Sequence, residues 1–199
     1  MAFEIVAEDA YDPEVLALVE RHLDFSREVT PIGGVFALGP HALRRSGLTV
    51  FGAREDGRLV GIAALQQLRR DEGELKTMHA LPESRRRGVG RALVGHVLEV
   101  ARARGYRRVS LETGNFEACA PARALYERCG FTPCDPYRPY VGSPTSACMT
   151  IVIEPLSPDS QPAFGMMSWR VRDAFRVTRR TRELTLDVPE VEGHMVSST

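Results

Sequence analysis

The chain has little of what would mark a secreted, membrane-bound or metal-held protein. Its cysteines, Cys119, Cys129, Cys134 and Cys148, form no C-x-x-C pair and show no zinc-ligand spacing. That spacing argues against the common zinc modules and fits reduced thiols in a cytoplasmic protein. Charge of one sign is missing too: Lys+Arg and Asp+Glu are both 26 in 199 residues. A balanced chain is a poor general binder of nucleic acid or of anionic membrane surfaces. No apolar run approaches the length of a membrane span, and the first residues lack the basic and apolar regions of a signal peptide. Neither the G-x-G-x-x-G dinucleotide fingerprint nor a Gly-Lys-Ser/Thr nucleotide loop occurs where a phosphate loop is expected. At 43% hydrophobic, the chain can still bury a core, and its length suits one domain plus some excess.

What is present is the stretch from Glu74 to Arg91, ELKTMHALPESRRRGVGR. It reads as a strand running to Pro82, a basic glycine loop, and a helix opening at Arg91. The loop is Arg85-Arg86-Arg87-Gly88-Val89-Gly90. Its glycines let the backbone approach a ligand and align successive N–H groups. The helix N-terminus adds partial positive charge, and the arginines add full charges. The combination suits a pyrophosphate.

Around this loop the pattern predicts strands at 3–8, 48–54, 59–68, 73–81, 107–113 and 147–153. Asp12-Pro13 opens a first helix, with Val15, Leu16, Val19, His22 and Leu23 on one face. His22 reads as a helix-edge residue. Pro31, Gly33, Gly34, Gly39 and Pro40 break residues 26 to 47, with a short helix around Pro40 to Arg45. Glu55-Asp56-Gly57-Arg58 is a hairpin turn. Leu93, Val94, Val97, Leu98 and Ala101 stripe a helix over 91–104, and another runs from about Pro121 to Cys129. A short strand near Phe131 to Tyr137 is optional.

The R-x-x-G-x-G spacing from Arg85 resembles the signature of the GNAT superfamily of acyl-CoA-dependent N-acyltransferases. Ala122 with Leu125-Tyr126 and Gly130-Phe131 resembles a second block of that family, and the element order β-α-α-β-β-β-α-β-α-β is similar as well. Gly73 to Met78, Leu111 to Gly114 and Pro121 to Arg123 recur in a bacterial subgroup, some of it labelled as acetyltransferases of auxin or other small molecules. The resemblance covers roughly residues 3 to 154. It implies an α/β (α+β) fold with a mixed central sheet whose strands 73–81 and 107–113 splay apart around acetyl-CoA. Two departures stand out. Gly34 and Phe36 replace a serine and a histidine of the subgroup, and Cys119 replaces an asparagine that contacts CoA in many members.

The chemistry that the resemblance implies is direct acetyl transfer from the thioester to an amine. An alkylamine of pKa near 10.4 is only about 0.04% neutral at pH 7, so a base must take its proton. The resemblance makes Tyr126 the general acid toward the CoA sulfur. It makes Glu74, eleven residues before Arg85, the leading base; the competing reading of Glu74 is an ordinary strand-edge carboxylate pairing with Lys76, and Glu112 on the opposite strand is the alternative base. Met78, His79 and Ala80 are expected to bind pantetheine through the backbone. Arg85, Arg86, Arg87, Gly88, Val89, Gly90 and Arg91 are expected to hold the pyrophosphate, mainly through N–H groups. No metal is required.

Residues 1–156 are thus expected to form the acetyltransferase domain and 157–199 a poorly ordered or locally docked extension. The extension carries a basic block over 169–182. The leading function is an N-acetyltransferase of a small or amino-acid-like amine. A protein N-terminal or lysine acetyltransferase and a non-catalytic acyl-CoA-binding module remain as alternatives. Monomer and homodimer stay open.

Overall fold

A computed structural model of the protein describes residues 3–31 and 33–156. The expected extension and its basic block lie outside the described residues. Seven strands form one sheet in the order β1-β2-β3-β4-β5-β7-β6. In chain order the elements are β1 (Glu4–Glu8), α1 (Pro13–Val29), β2 (Leu48–Glu55), β3 (Arg58–Arg69), β4 (Glu72–Ala80), α2 (Val89–Ala103), β5 (Arg108–Gly114), α3 (Ala120–Arg128), β6 (Thr132–Pro133) and β7 (Ser146–Val152). The short helix expected near Pro40 is a 3-10 turn, Pro40–Arg44.

Local chemistry explains the elements. The Asp12 side chain accepts from the Glu14 N–H and caps α1. That helix runs well past its apolar stripe, to Val29. The optional strand after Phe131 shrinks to two residues, because Pro133 and the chain beyond it leave the sheet.

The sheet buries two faces. On one, Phe51, Ala63, Leu65, Leu75, Val109 and Leu111 pack with α2 and α3 through Leu93, Val94, Val97 and Tyr126. On the other, Val50, Ile62 and Ala64 pack against Val15, Leu18 and Val19 of α1. The strict side-chain alternation of strands assigns neighbours in sequence to opposite faces. Arg54 ties the first elements together: its guanidinium donates to both Glu8 carboxylate oxygens at 2.7 and 2.9 Å, and to Glu14 of α1 at 2.9 Å. Such a bidentate, half-buried pair is stronger than an exposed one.

Two features of β4 position the site. It is parallel to β5, but their register ends at Leu75 and Leu111. Beyond that pair the strands part. Opposite β3, the register of β4 jumps between Ile62↔His79 and Ala64↔Lys76, so Thr77 and Met78 face the single residue Ala63. This is a β-bulge, and Thr77 at φ +54° makes the extra step.

Candidate active site

A cavity of about 740 Å³ opens where β4 and β5 separate. Its walls come from β4 (Leu75 to Ala80), β5 (Glu112 to Gly114), the loop into α2, α3 with Tyr126, and the segment from α1 to Leu38. The volume fits a small-molecule or cofactor site.

The parted edge is chemically specific. The Leu81 N–H donates to the Val60 carbonyl at 3.0 Å, so position 81 is bonded toward β3. Alternation then turns the main-chain groups of Ala80, and of Met78 two residues earlier, toward the gap. His79, between them, is bonded on the β3 side, and its ring lines the cavity. The Arg85 guanidinium reaches the Ala80 carbonyl at 3.4 Å.

The glycine loop leads directly into α2. Gly88 caps that helix at φ +96°, a conformation that a side chain occupies only under strain. A Cβ on Gly90 would come within 2.8 Å of Leu125 Cδ2, so a side chain here would press on α3. Arg85, Arg86, Gly88, Val89, Gly90 and Arg91 all line the cavity. Arg87 is not among the lining residues. Its guanidinium pairs with Glu55 at 2.6 and 3.0 Å, on the β2–β3 hairpin.

Tyr126 sits on α3 facing the gap, with 6% of its surface exposed. Burial pushes its phenol well above the usual tyrosine range, with neighbouring Cys119, Cys129 and Glu112 adding to the effect. The phenol therefore stays protonated. Arg123 sets the helix in place by donating to the carbonyls of Gly114 and Phe116 at 2.7 and 2.8 Å. This explains why an arginine follows Pro121-Ala122 in the sequence.

The two candidate carboxylates have different surroundings. Glu74 is buried on the α1 face, outside the cavity lining. It accepts from Tyr140 Oη at 2.5 Å and Tyr137 Oη at 3.0 Å, and pairs with Lys76 Nζ at 3.4 Å. Lys76 also donates to Tyr140 Oη at 2.5 Å. Glu112 lines the cavity. Burial raises its pKa, opposed by a 2.7 Å hydrogen bond from Ser146 and by the charge of Lys76.

Several residues at or behind the cavity wall escaped the sequence reading. Tyr137 and Tyr140 are 63 and 66 positions from Glu74, with no local signal. Ser146 is the first residue of β7. His22, expected at a helix edge, lines the cavity 5.7 Å from the His79 ring, edge to face. Burial holds both imidazoles down at about 4, so both are neutral at pH 7; His79 and Lys76 press further on His22, and Arg85 and Arg21 on His79. The departure from the subgroup at Gly34 and Phe36 also has reasons. A Cβ on Gly34 would lie 2.7 Å from Thr145 Oγ1, so the loop passes too close for a side chain. Phe36 packs its ring against Tyr140 at 4.9 Å, where it covers the Glu74 cluster.

Residues 15–131 match the model of the acetyltransferase (GNAT) family. The chain belongs to the GNAT acetyltransferase family. It is 38% identical to "Uncharacterized N-acetyltransferase YsnE" of Bacillus subtilis, over 73% of this chain and 97% of that protein. It is 34% identical to "Uncharacterized N-acetyltransferase YedL" of Escherichia coli, over 76% and 95%. A solved Klebsiella pneumoniae protein assigned as an acyl-CoA N-acyltransferase is similar at TM-score 0.62 and 27% identity, over 78% and 98%. This GNAT protein is accordingly an N-acetyltransferase with acetyl-CoA as its acetyl donor. The fold is the expected mixed sheet with helices on both faces. Among the described residues, no group of His, Cys, Asp and Glu has the makings of a metal site. No described helix is long and apolar enough to cross a membrane.

Proposed function

We propose that the protein transfers acetyl from acetyl-CoA to the amine of a small acceptor, with Glu112 rather than Glu74 as the proton acceptor. The observation that carries this reading is the cavity between the parted strands, walled by Glu112, Tyr126 and the glycine loop. The open edge at Met78 and Ala80 suits the amides of pantetheine. The Gly88 cap, the α2 N-terminus, Arg85, Arg86 and Arg91 suit the pyrophosphate. Arg87 contributes its N–H rather than its charge, which Glu55 already neutralises.

In the reaction the acceptor nitrogen attacks the thioester carbonyl carbon. The C–S bond breaks as the new C–N bond forms. The amine proton passes to Glu112, directly or through water. A carboxylate with a raised pKa is a better proton acceptor than an ordinary one. Tyr126 faces the departing sulfur. A phenol pushed above the normal tyrosine range is a weaker acid than a thiol of pKa about 8.5. It therefore supports the thiolate by donating a hydrogen bond, and net protonation is completed by solvent.

The pocket beyond the thioester is walled by Phe25, Val29, Phe36 and Leu38 together with His22 and Thr145. A concave, largely apolar wall suits a small acceptor. Thiol release from acetyl-CoA, measured with a panel of small amines, amino acids, a lysine peptide and N-terminal peptides, tests the reading. Turnover with a small amine that falls on the order of a hundredfold in Tyr126→Phe supports it. Turnover with peptides alone overturns the acceptor class. Binding of acetyl-CoA with no turnover on any member favours the non-catalytic alternative.

A further inference from the structure

One face of α1 serves two purposes. Val15, Leu18 and Val19 are buried in the core against the sheet. The same face continues at helical spacing through His22, Phe25 and Val29, and these three line the cavity instead. Phe36, from the segment after α1, lines the cavity with them and stacks edge to face on Tyr140. Two phenyl rings and a valine thus give one quarter of the cavity an apolar wall.

Beside that wall stand groups suited to an anion. Lys76 lines the cavity with 11% of its side chain exposed. Its ammonium has three N–H groups. Two are engaged, by Tyr140 Oη at 2.5 Å and Glu74 at 3.4 Å, and these partners hold the side chain in place. The Lys76 charge acts on both His22 of α1 and Glu112 of β5, so the ammonium lies near both walls. Among the described residues, the buried unpartnered side-chain atoms are His22 Nδ1, Gln66 Oε1 and Thr77 Oγ1. His22 Nε2 and the two nitrogens of His79 are not among them and make no hydrogen bond, so they stay open to the cavity. The full charges acting on the two rings are cationic, Lys76 on His22 and Arg85 and Arg21 on His79.

Resting on the acetyltransferase reading above, we infer that the acceptor is an apolar α-amino acid. Lys76 holds its carboxylate, with the open nitrogens of His22 and His79 beside it. Its side chain sits among Phe25, Val29 and Phe36, and its amine turns to Glu112. The buried Glu74 cluster then acts as the brace of Lys76: a pre-fixed ammonium loses little freedom when the carboxylate arrives. An amine without a carboxylate would cover the same lysine and imidazoles and leave them unpaired, which a site of this kind penalises.

Thiol release from acetyl-CoA by the full-length protein tests the inference. The acceptors are leucine, methionine, phenylalanine and tryptophan, each beside its amide and its decarboxylated amine, with glycine as the side-chain control. For at least one of the four, kcat/KM is expected to exceed that of its amide, its amine and glycine by about tenfold or more. Lys76→Met is expected to lower the ratio of amino acid to decarboxylated amine about tenfold, mainly through the KM of the amino acid. His22→Phe is expected to lower the same ratio severalfold, and it carries the test if Lys76→Met, which deprives Glu74 of its cation, does not fold. Equal turnover of acid, amide and amine overturns the inference, as does a ratio unmoved in the folded variants. Turnover of other small amines but of none of these acids overturns it too. All three results leave an acetyltransferase of small amines standing. No turnover of any small amine overturns both readings.

Discussion

At the scale of the residue, two carboxylates separated by one strand spacing acquire opposite characters. Glu74 is held by two phenols and an ammonium group, with 5% of its side chain exposed and 11% of that of Lys76. Breaking such a buried pair leaves an uncompensated charge. Glu74→Gln is therefore expected to cost roughly 3–5 kcal/mol of stability in a urea melt. Glu112→Gln is expected to fold normally but to lose a hundredfold or more in kcat. The sign of its pH effect follows from its role. A base works when deprotonated, so activity rises with pH through the raised Glu112 pKa, and Glu112→Gln loses that limb. A pH–rate profile of kcat for both variants checks the assignment. Normal stability and a large kcat loss in Glu74→Gln, with little change in Glu112→Gln, would reverse it.

At the scale of the element, β4 and the loop into α2 carry the site. Sequence periodicity placed β4, α2, β5 and α3 to within a residue or two, because each has a clean apolar stripe or alternation. It did not reveal the bulge. Nothing in Lys76-Thr77-Met78 says that two residues will oppose Ala63, since a bulge is a property of the pair of strands. The loop was legible because glycine spacing encodes backbone conformation directly. Gly88→Val forces a branched side chain to φ +96°, where it is strained even though the space around it is open. Calorimetry with CoA should show affinity falling tenfold or more, with only a modest loss of melting temperature. Unchanged CoA binding would remove the loop from the cofactor site.

At the scale of the whole molecule, burial governs acid stability. His22, His79 and His96 all have pKa values lowered to about 4, chiefly by desolvation. The unfolded chain binds these protons near pH 6.5, whereas the folded chain refuses them until about 4. Stability is therefore full above about 6.5 and is lost as pH falls toward 4. Each histidine contributes at most about 1.4 kcal/mol per pH unit, less after solvent screening because all three are only partly buried. Glu112, with its raised pKa, works in the opposite direction as a single group. Melting temperatures measured from about pH 7.5 to 4 should fall progressively below 6.5. A flat curve between 7.5 and 5 would mean that the imidazoles are not desolvated as described.

The sequence by itself determined the order of elements and the glycine loop before α2, through local periodicity, capping and glycine placement within a few residues. The helices on both faces of the sheet and the place of the α3 tyrosine followed from the family resemblance. The tertiary structure alone decided which carboxylate borders the cavity, that the Arg87 side chain turns to Glu55, and that Thr77 stands strained at the vertex of the gap. Those outcomes depend on Tyr137, Tyr140, Ser146, Glu55 and Ala63, partners on other strands and loops. Their distance along the chain is set by the fold rather than by any local preference.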